Sequence, residues 1–395
     1  MSEYNFLSGG SVNKTSMMHF LPQIDAVAIE NRLSELQMLF PKLGVCALLP
    51  EAEKEKVGVL QTVCKKCKIP LVGAIFPALV KDTSFTTSGV WLLCFKEMPY
   101  CALYDNLPVD AAAAEQVAEK IANDIRNKVE RIPDITLFML FDAMVPNIGT
   151  LLDNIYLHLA NRVHYVGANA GSETFQPMPC LFDGERIVQN GVLVLLLGAH
   201  KGAILEHGYH APQNSVYATS TEGNRISQID WRPAFDVYRE LVSEQYGVEV
   251  TKDNFYQHAV HFPFGIVRAN HHVVVRIPVM LNDDGSLLCV GEVPPNSVLT
   301  LLERPSVDTN ETLRVLVSGL IALNGDPARS EMMLFYCAGR RMHLGIEQAT
   351  SELCELSKRA KPAQVGGALS LGEIGGSTLS GYPLFHNATL VAARW

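Results

Sequence analysis

Charge is what this chain has least of. Asp, Glu, Lys and Arg make up only 18% of its 395 residues, and the net charge is −9. No run of Lys or Arg is longer than two residues, as at Lys65-Lys66 and Arg340-Arg341. A nucleic-acid footprint needs a basic face or stripe, so nucleic acid is excluded as a partner. The apolar runs, Val192–Leu197 among them, have the length of a buried strand and fall far short of a membrane span, so no membrane insertion is expected. The amino terminus, Met1-Ser2-Glu3-Tyr4-Asn5, lacks a basic start and an apolar core, so no signal peptide is expected. Neither Gly-x-x-x-x-Gly-Lys-Ser/Thr nor a dinucleotide fingerprint occurs, and no cofactor is expected. The nine cysteines are odd in number and spread through apolar stretches. That pattern reads as reduced thiols in a cytoplasmic protein.

Apolar residues, by contrast, reach 48%, enough for a large core in two or three domains or one duplicated one. One order of elements recurs. A short apolar strand, Gly44–Leu49, stops at Pro50; a helix carrying Val57, Leu60, Cys64 and Cys67 follows, and then Leu71-Val72-Gly73-Ala74. Strand Ile135–Phe141 stops at Asp142, helix Ile148–Leu159 follows, and then Val166-Gly167-Ala168-Asn169. Met333–Cys337 stops before Gly339, helix Ile346–Lys358 follows, and then Val365-Gly366-Gly367-Ala368. A glycine just inside a strand admits a second backbone or a ligand at close range. The fold class is therefore α/β: repeated strand–helix–strand units forming mixed β-sheets covered by helices, in two lobes of similar size.

Residues 1–25 read as an amino-terminal arm, 26–228 as a first α/β domain and 229–395 as a second. The boundary falls near Gln228, where the character of the chain changes. Asp110 is placed to cap an amphipathic helix over 110–132, and Thr309 opens another over 309–323. Asp230 is placed to cap a helix from Pro233 to Val242. Val273–Pro278 and Leu287–Val290, joined through Asn282-Asp283-Asp284-Gly285, form a hairpin.

Few motifs carry chemistry. Cys64-Lys65-Lys66-Cys67 has redox spacing but lies inside a helical pattern. The histidines at 200, 207 and 210, and at 258, 261, 271 and 272, lack an acidic or thiol partner at a recognisable spacing, so no metal is expected. Cys337 ends an apolar strand just before two arginines, which would lower a nearby thiol pKa. Arg340 or Arg341 is the natural receptor for a carboxylate. Arg276, inside an apolar strand, needs a partner if buried, with Glu373 or Asp283 as candidates.

From about residue 35 onward, the order of these motifs resembles the FIST family, whose name refers to F-box and intracellular signal-transduction proteins. Gly73-Ala74, Val166–Gly171 and Phe182-Asp183-Gly184 look like its N region. Ile229–Tyr238 looks like the linker motif. Arg276, Asp284–Leu287, Phe335–Arg340, Gly372-Glu373-Ile374 and His386–Leu390 look like its C signature. The resemblance implies a sensory, ligand-binding module, found beside signalling domains in prokaryotes and attached to an F-box in eukaryotes. A stand-alone member is expected, binding an amino acid or small carboxylate and signalling through a protein partner. Its expected site is Arg276, Cys337, Gly339, Arg340, Gly372, Glu373 and Asn387, with Arg340 meeting a carboxylate and Glu373 an amine. An enzyme is not expected. The competing readings are a thiol-dependent enzyme using Cys337 with His386 or His343, and a protein-interaction scaffold.

Overall fold

The strand–helix–strand repeat is real, and it is longer than its sequence signature. The computed structural model describes residues 16–129, 134–212, 214–268, 272–303, 305, 311–375 and 382–395. The first unit runs β1 (Ser16–Leu21), α1 (Ala26–Leu39), β2 (Gly44–Pro50), α2 (Val57–Cys67), β3 (Leu71–Phe76), a hairpin of β4 (Ala78–Lys81) and β5 (Ser84–Thr86), and β6 (Val90–Phe95). The second repeats that order with β7 (Cys101–Tyr104), α3 (Ala111–Val129), β8 (Thr136–Asp142), α4 (Ile148–Leu159), β9 (His164–Ala170), the hairpin β10 (Leu181–Asp183) and β11 (Ile187–Val188), and β12 (Val192–Leu197).

The third unit opens with β13 (Ile204–Glu206) and is then interrupted by an insert. This consists of β14 (Val216–Glu222), β15 (Arg225–Ile229), β16 (Arg232–Pro233), α5 (Ala234–Tyr246), α6 (Phe255–Ala259), β17 (Phe264–Val267), β18 (Val273–Arg276), β19 (Pro278–Leu281), β20 (Leu287–Cys289) and β21 (Val298–Leu301). The unit resumes with α7 (Glu311–Asn324), β22 (Glu331–Cys337), α8 (Ala338–Leu344), α9 (Ile346–Ala360), β23 (Gln364–Ser370), the hairpin β24 (Glu373–Gly375) and β25 (Leu384–His386), and β26 (Leu390–Arg394).

Each unit builds four strands of its own sheet around one parallel pair: β2 with β3, β8 with β9, and β22 with β23. The hairpins are exchanged in a ring. The first sheet is completed by β10–β11 of the second unit, the second by β24–β25 of the third, and the third by β4–β5 of the first. No unit can leave without breaking the strand pairing of a neighbour. The repeated glycine explains how the hairpin docks. Gly73, Gly167 and Gly367 lie opposite Phe182, Ile374 and Val80 of the incoming hairpin. A Cβ at each would collide with the carbonyl of Ala47, Met139 or Leu334 on the parallel neighbour. The position is glycine because two backbones close on it.

The inner faces of the three sheets share one apolar centre, in which Phe335 packs between Phe76, tilted at 5.8 Å, and Phe138, stacked at 6.0 Å. The insert forms a separate antiparallel sheet, ordered β18-β17-β21-β14-β15-β20-β19 with β16 on β15, and buries its own core under α5 and α6.

Several local expectations shift. Ser16–Leu21, within the segment read as an arm, is a sheet strand paired with β6. The line drawn near Gln228 falls inside β15. Asp110 does cap α3, accepting the Ala113 N–H at 2.9 Å; residues 130–132 and Thr309 lie outside the described residues. Asp230 does not cap α5. It sits in a tight turn and its carboxylate accepts the Tyr217 N–H instead. The stretch 273–278 divides at Ile277: β18 pairs with β17, and only β19 joins the hairpin to β20.

Candidate functional site

The parallel strands β22 and β23 end side by side at Cys337 and Ser370. The return into β26 brings Asn387, Ala388 and Thr389 to the same edge, where the Cys337 N–H donates to the Thr389 carbonyl at 3.0 Å. Four hydrogen-bonding groups gather around Glu373, which is fully buried. Its carboxylate accepts the Ser370 and Thr389 hydroxyls, each at 2.5 Å, the Thr389 N–H at 3.4 Å, and the Cys337 thiol. Burial lifts the Glu373 carboxyl to about 7, against the opposing pull of these donors. Burial, and next to it the Glu373 charge, push the Cys337 thiol up as well. The lowering expected from two adjacent arginines does not arise, because both guanidiniums face elsewhere.

Arg340 is buried, and its Nε and Nη2 grip the two oxygens of Glu352 at 2.8 and 2.6 Å. Its Nη1 donates to the carbonyls of His207 and Ala388. Burial alone would pull its pKa down; the Glu352 carboxylate overrides this and holds it above its ordinary value. Arg341 reaches across to Glu173, with Nη2 at 2.8 Å from both oxygens. Asn387 bridges core and insert, its Oδ1 accepting the Ile277 N–H at 3.3 Å and its Nδ2 donating to the His386 carbonyl. Gly339 lets α8 sit against the insert, since a Cβ there would approach Ile277 Cδ1 to 2.5 Å. At Gly372 a Cβ would run into the Phe385 ring.

A cleft of about 510 Å³, open to solvent, lies over this edge. Cys337, Gly339, Met342, Leu371 and Asn387 of the core form one wall, and Tyr256, Val260, Ile277, Val279 and Val290 of the insert form the other. Of the seven expected residues, Cys337, Gly339 and Asn387 line the cleft. Gly372 and Glu373 stand behind its wall, and Arg340 is turned away into its ion pair with Glu352. Arg276 lies elsewhere. Neither Glu373 nor Asp283 is its partner: it donates to the carbonyls of Glu292, Val275 and Phe385, and it lines a second cleft of about 450 Å³.

Residues of the insert such as Tyr256 and Val260 carry no sequence signal for a site. Glu352 does carry one: it stands beside Leu353 on the apolar face of α9, where a charge needs a partner. Asn169 on β9, beside Gly372, is fully buried with neither amide atom bonded. Among the described residues, no group of three or more His, Cys, Asp or Glu side chains is placed to hold a metal, and no helix is long and apolar enough to cross a membrane.

Three strand-exchanged α/β units, with an inserted sheet forming one wall of a cleft over the strand ends, define an α/β protein with an open cleft between core and insert. Residues 42–232 match the FIST N domain and residues 234–376 the FIST C domain. The chain belongs to the FIST family, whose domains are generally sensory, ligand-binding parts of signalling proteins. A stretch of 189 residues is 28% identical to an uncharacterized protein of Methanocaldococcus jannaschii, covering 45% of this chain and 36% of that protein. The match thus spans about a third of that relative's length.

Proposed function

We propose that this protein is a cytoplasmic sensor that takes a compact, neutral, largely apolar molecule into the Cys337 cleft and signals its presence through a protein partner. The observation that carries the reading is that the two walls of the cleft belong to different bodies, the triplicated core and the insert. A ligand touching both stabilises one relative placement of the two, and a coupling of about 1–3 kcal/mol suffices for a signal. Its neutral character follows from the lining. Arg340 and Glu373, expected to hold the charges of an amino acid, do not line the cleft, and the Glu173 carboxylate that does is engaged by Arg341. An amino acid or small carboxylate therefore has no charged group to meet there.

Thermal-shift screening of a metabolite library tests the reading. Saturating ligand raises Tm by a few degrees, corresponding to about 2.7 kcal/mol at a hundredfold excess over Kd. Met342→Trp, at a half-exposed position on the core wall, narrows the cleft and removes the shift. A library without hits, or hits indifferent to Met342→Trp, would overturn it. Capture experiments with and without the hit compound then test the partner: a ligand-dependent change in one stoichiometric companion is expected.

A further inference from the structure

The second cleft has a different chemistry. Arg276 ends β18 with its side chain only 4% exposed. Its Nε donates to the Glu292 carbonyl at 2.8 Å, and its Nη1 to the carbonyls of Val275 at 3.0 Å and Phe385 at 2.8 Å. The guanidinium carbon lies 5.3 Å over the Phe385 ring. Among the described residues Nη2 has no hydrogen-bond partner and no carboxylate forms an ion pair with this arginine. A buried cation whose direct contacts are all neutral dipoles is costly, because its desolvation is only partly offset by the Glu292 and Asp153 carboxylates, which attract it without forming an ion pair. Burial accordingly pulls Arg276 down to about 10.

Two acids line the same cleft, and both are committed. Glu292 accepts the Thr150 N–H at 2.8 Å and the Thr150 hydroxyl at 2.6 Å, closing the start of α4. Asp153 accepts the Tyr382 hydroxyl at 2.7 Å. Arg268, exposed at the end of β17, adds a second positive charge, while Leu152, Ile266, Leu384 and Phe385 supply apolar surface.

We propose that this cleft is a second ligand site, for a small monocarboxylate carried on an apolar body. The carboxylate meets the open Nη2 of Arg276 with Arg268 beside it, and the apolar body lies against Ile266 and Leu384. A planar guanidinium is the group that recognises a carboxylate with geometric specificity. A single negative charge suits the cleft better than two, because Glu292 and Asp153 repel the second charge of a phosphate dianion. The site does not depend on the first cleft. Arg276 and Ile277 are successive residues, and they present their side chains to the second and first clefts respectively.

Calorimetric titration of the full chain with 3-methylbutanoate, with 3-methylbutanamide and with inorganic phosphate decides the matter. The carboxylate is expected to bind at least about tenfold more tightly than the amide or phosphate, with an affinity that falls as salt is added. Arg268→Gln, at an exposed position where folding is not at stake, is expected to weaken it about three- to tenfold. Arg276→Lys keeps the charge but loses the planar fork, and is expected to weaken it further. Met342→Trp is expected to leave this binding in place, which separates the result from the fate of the first cleft. The proposal is overturned by carboxylate binding undetectable at ~10 mM, by amide or phosphate binding as tightly, by binding lost in Met342→Trp, or by binding unchanged in Arg268→Gln.

Discussion

Two arginines in this molecule are almost equally buried, at 1% exposure for Arg340 and 4% for Arg276, and they are treated in opposite ways. Arg340 has a full counter-ion: both oxygens of Glu352 face its fork, the Tyr336 hydroxyl donates to the same carboxylate at 2.7 Å, and two backbone carbonyls take the remaining nitrogen. Arg276 contacts carbonyls and an aromatic ring, and Glu292 and Asp153 attract it without forming an ion pair. The first arrangement is complete, and it ties β22, α8 and α9 to the loops at His207 and Ala388. The second leaves one nitrogen without a hydrogen-bond partner among the described residues, on an arginine that lines a cleft. A buried charge that is fully compensated belongs to the frame, and one that is partly compensated retains an interaction to offer. Glu373 is the anionic counterpart of Arg276, a buried carboxylate surrounded by hydroxyls, a thiol and an N–H rather than by a cation.

The comparison breaks or holds first on Arg340. Arg340→Met leaves Glu352 and the Tyr336 hydroxyl buried without the cation, and is expected to cost about 3–5 kcal/mol in urea unfolding. Combining it with Glu352→Leu removes the stranded carboxylate and is expected to recover much of that loss. Additive losses in the double variant would show that the two side chains do not act as a pair.

Next in size is the pH dependence carried by Glu373. Its carboxyl sits at about 7 in the folded protein against an ordinary 4.5, so the folded state holds a proton that the unfolded state has released. That contribution is fully present below pH 4.5 and is lost as pH rises through 7, amounting to about 3 kcal/mol. Buried histidines act in the opposite sense. His207 and His200 are lowered to about 4 by burial and His386 well below its usual value, so their contribution is present above pH 6.5 and lost on acidification. Whole-protein stability is therefore expected to fall on acidification. The Glu373 component appears as the difference between wild type and Glu373→Gln, measured by denaturant unfolding from pH 4.5 to 7.5. A flat difference curve would mean that the hydroxyls and thiol offset the burial of Glu373 completely.

Much of the architecture was legible because it is written locally. Three apolar strands, each followed by a helix and a strand with an early glycine, announce three parallel pairs. The hairpin exchange was not legible, since Phe182, Ile374 and Val80 each pair with a glycine of a different unit and nothing local marks the destination. The site was legible in part for the same reason. Cys337, Gly339 and Asn387 end apolar segments and do reach a cleft. Arg340 follows the same strand, in α8, but its course is set by an acid twelve residues later on the inner face of α9. Arg276 was recognised as a charge needing a partner. That its protein partners are backbone carbonyls alone is a property of packing between β18, Glu292 and Phe385, which no spacing encodes.

Arg276 itself should matter less to folding than Arg340. Arg276→Met removes donors from three carbonyls but also removes a cation that was costly to bury, so the expected loss is about 1–2 kcal/mol. A loss as large as that of Arg340→Met would erase the distinction between the two. Smaller again is the effect of Arg341, which makes two contacts of 2.8 Å to Glu173 and lies 5.4 Å from the Phe85 ring. The side chains of this pair are 20% and 31% exposed. Water and salt reach both partners, so the attraction is screened and neither charge is stranded when the other is removed. Arg341→Gln is expected to cost less than about 1 kcal/mol, and less still in high salt. Arg340 and Arg341 are adjacent in sequence and each engages a glutamate at close range, so their unequal losses would isolate burial as the variable. Equal losses would mean that the contacts themselves, and not the absence of water around them, carry the stability.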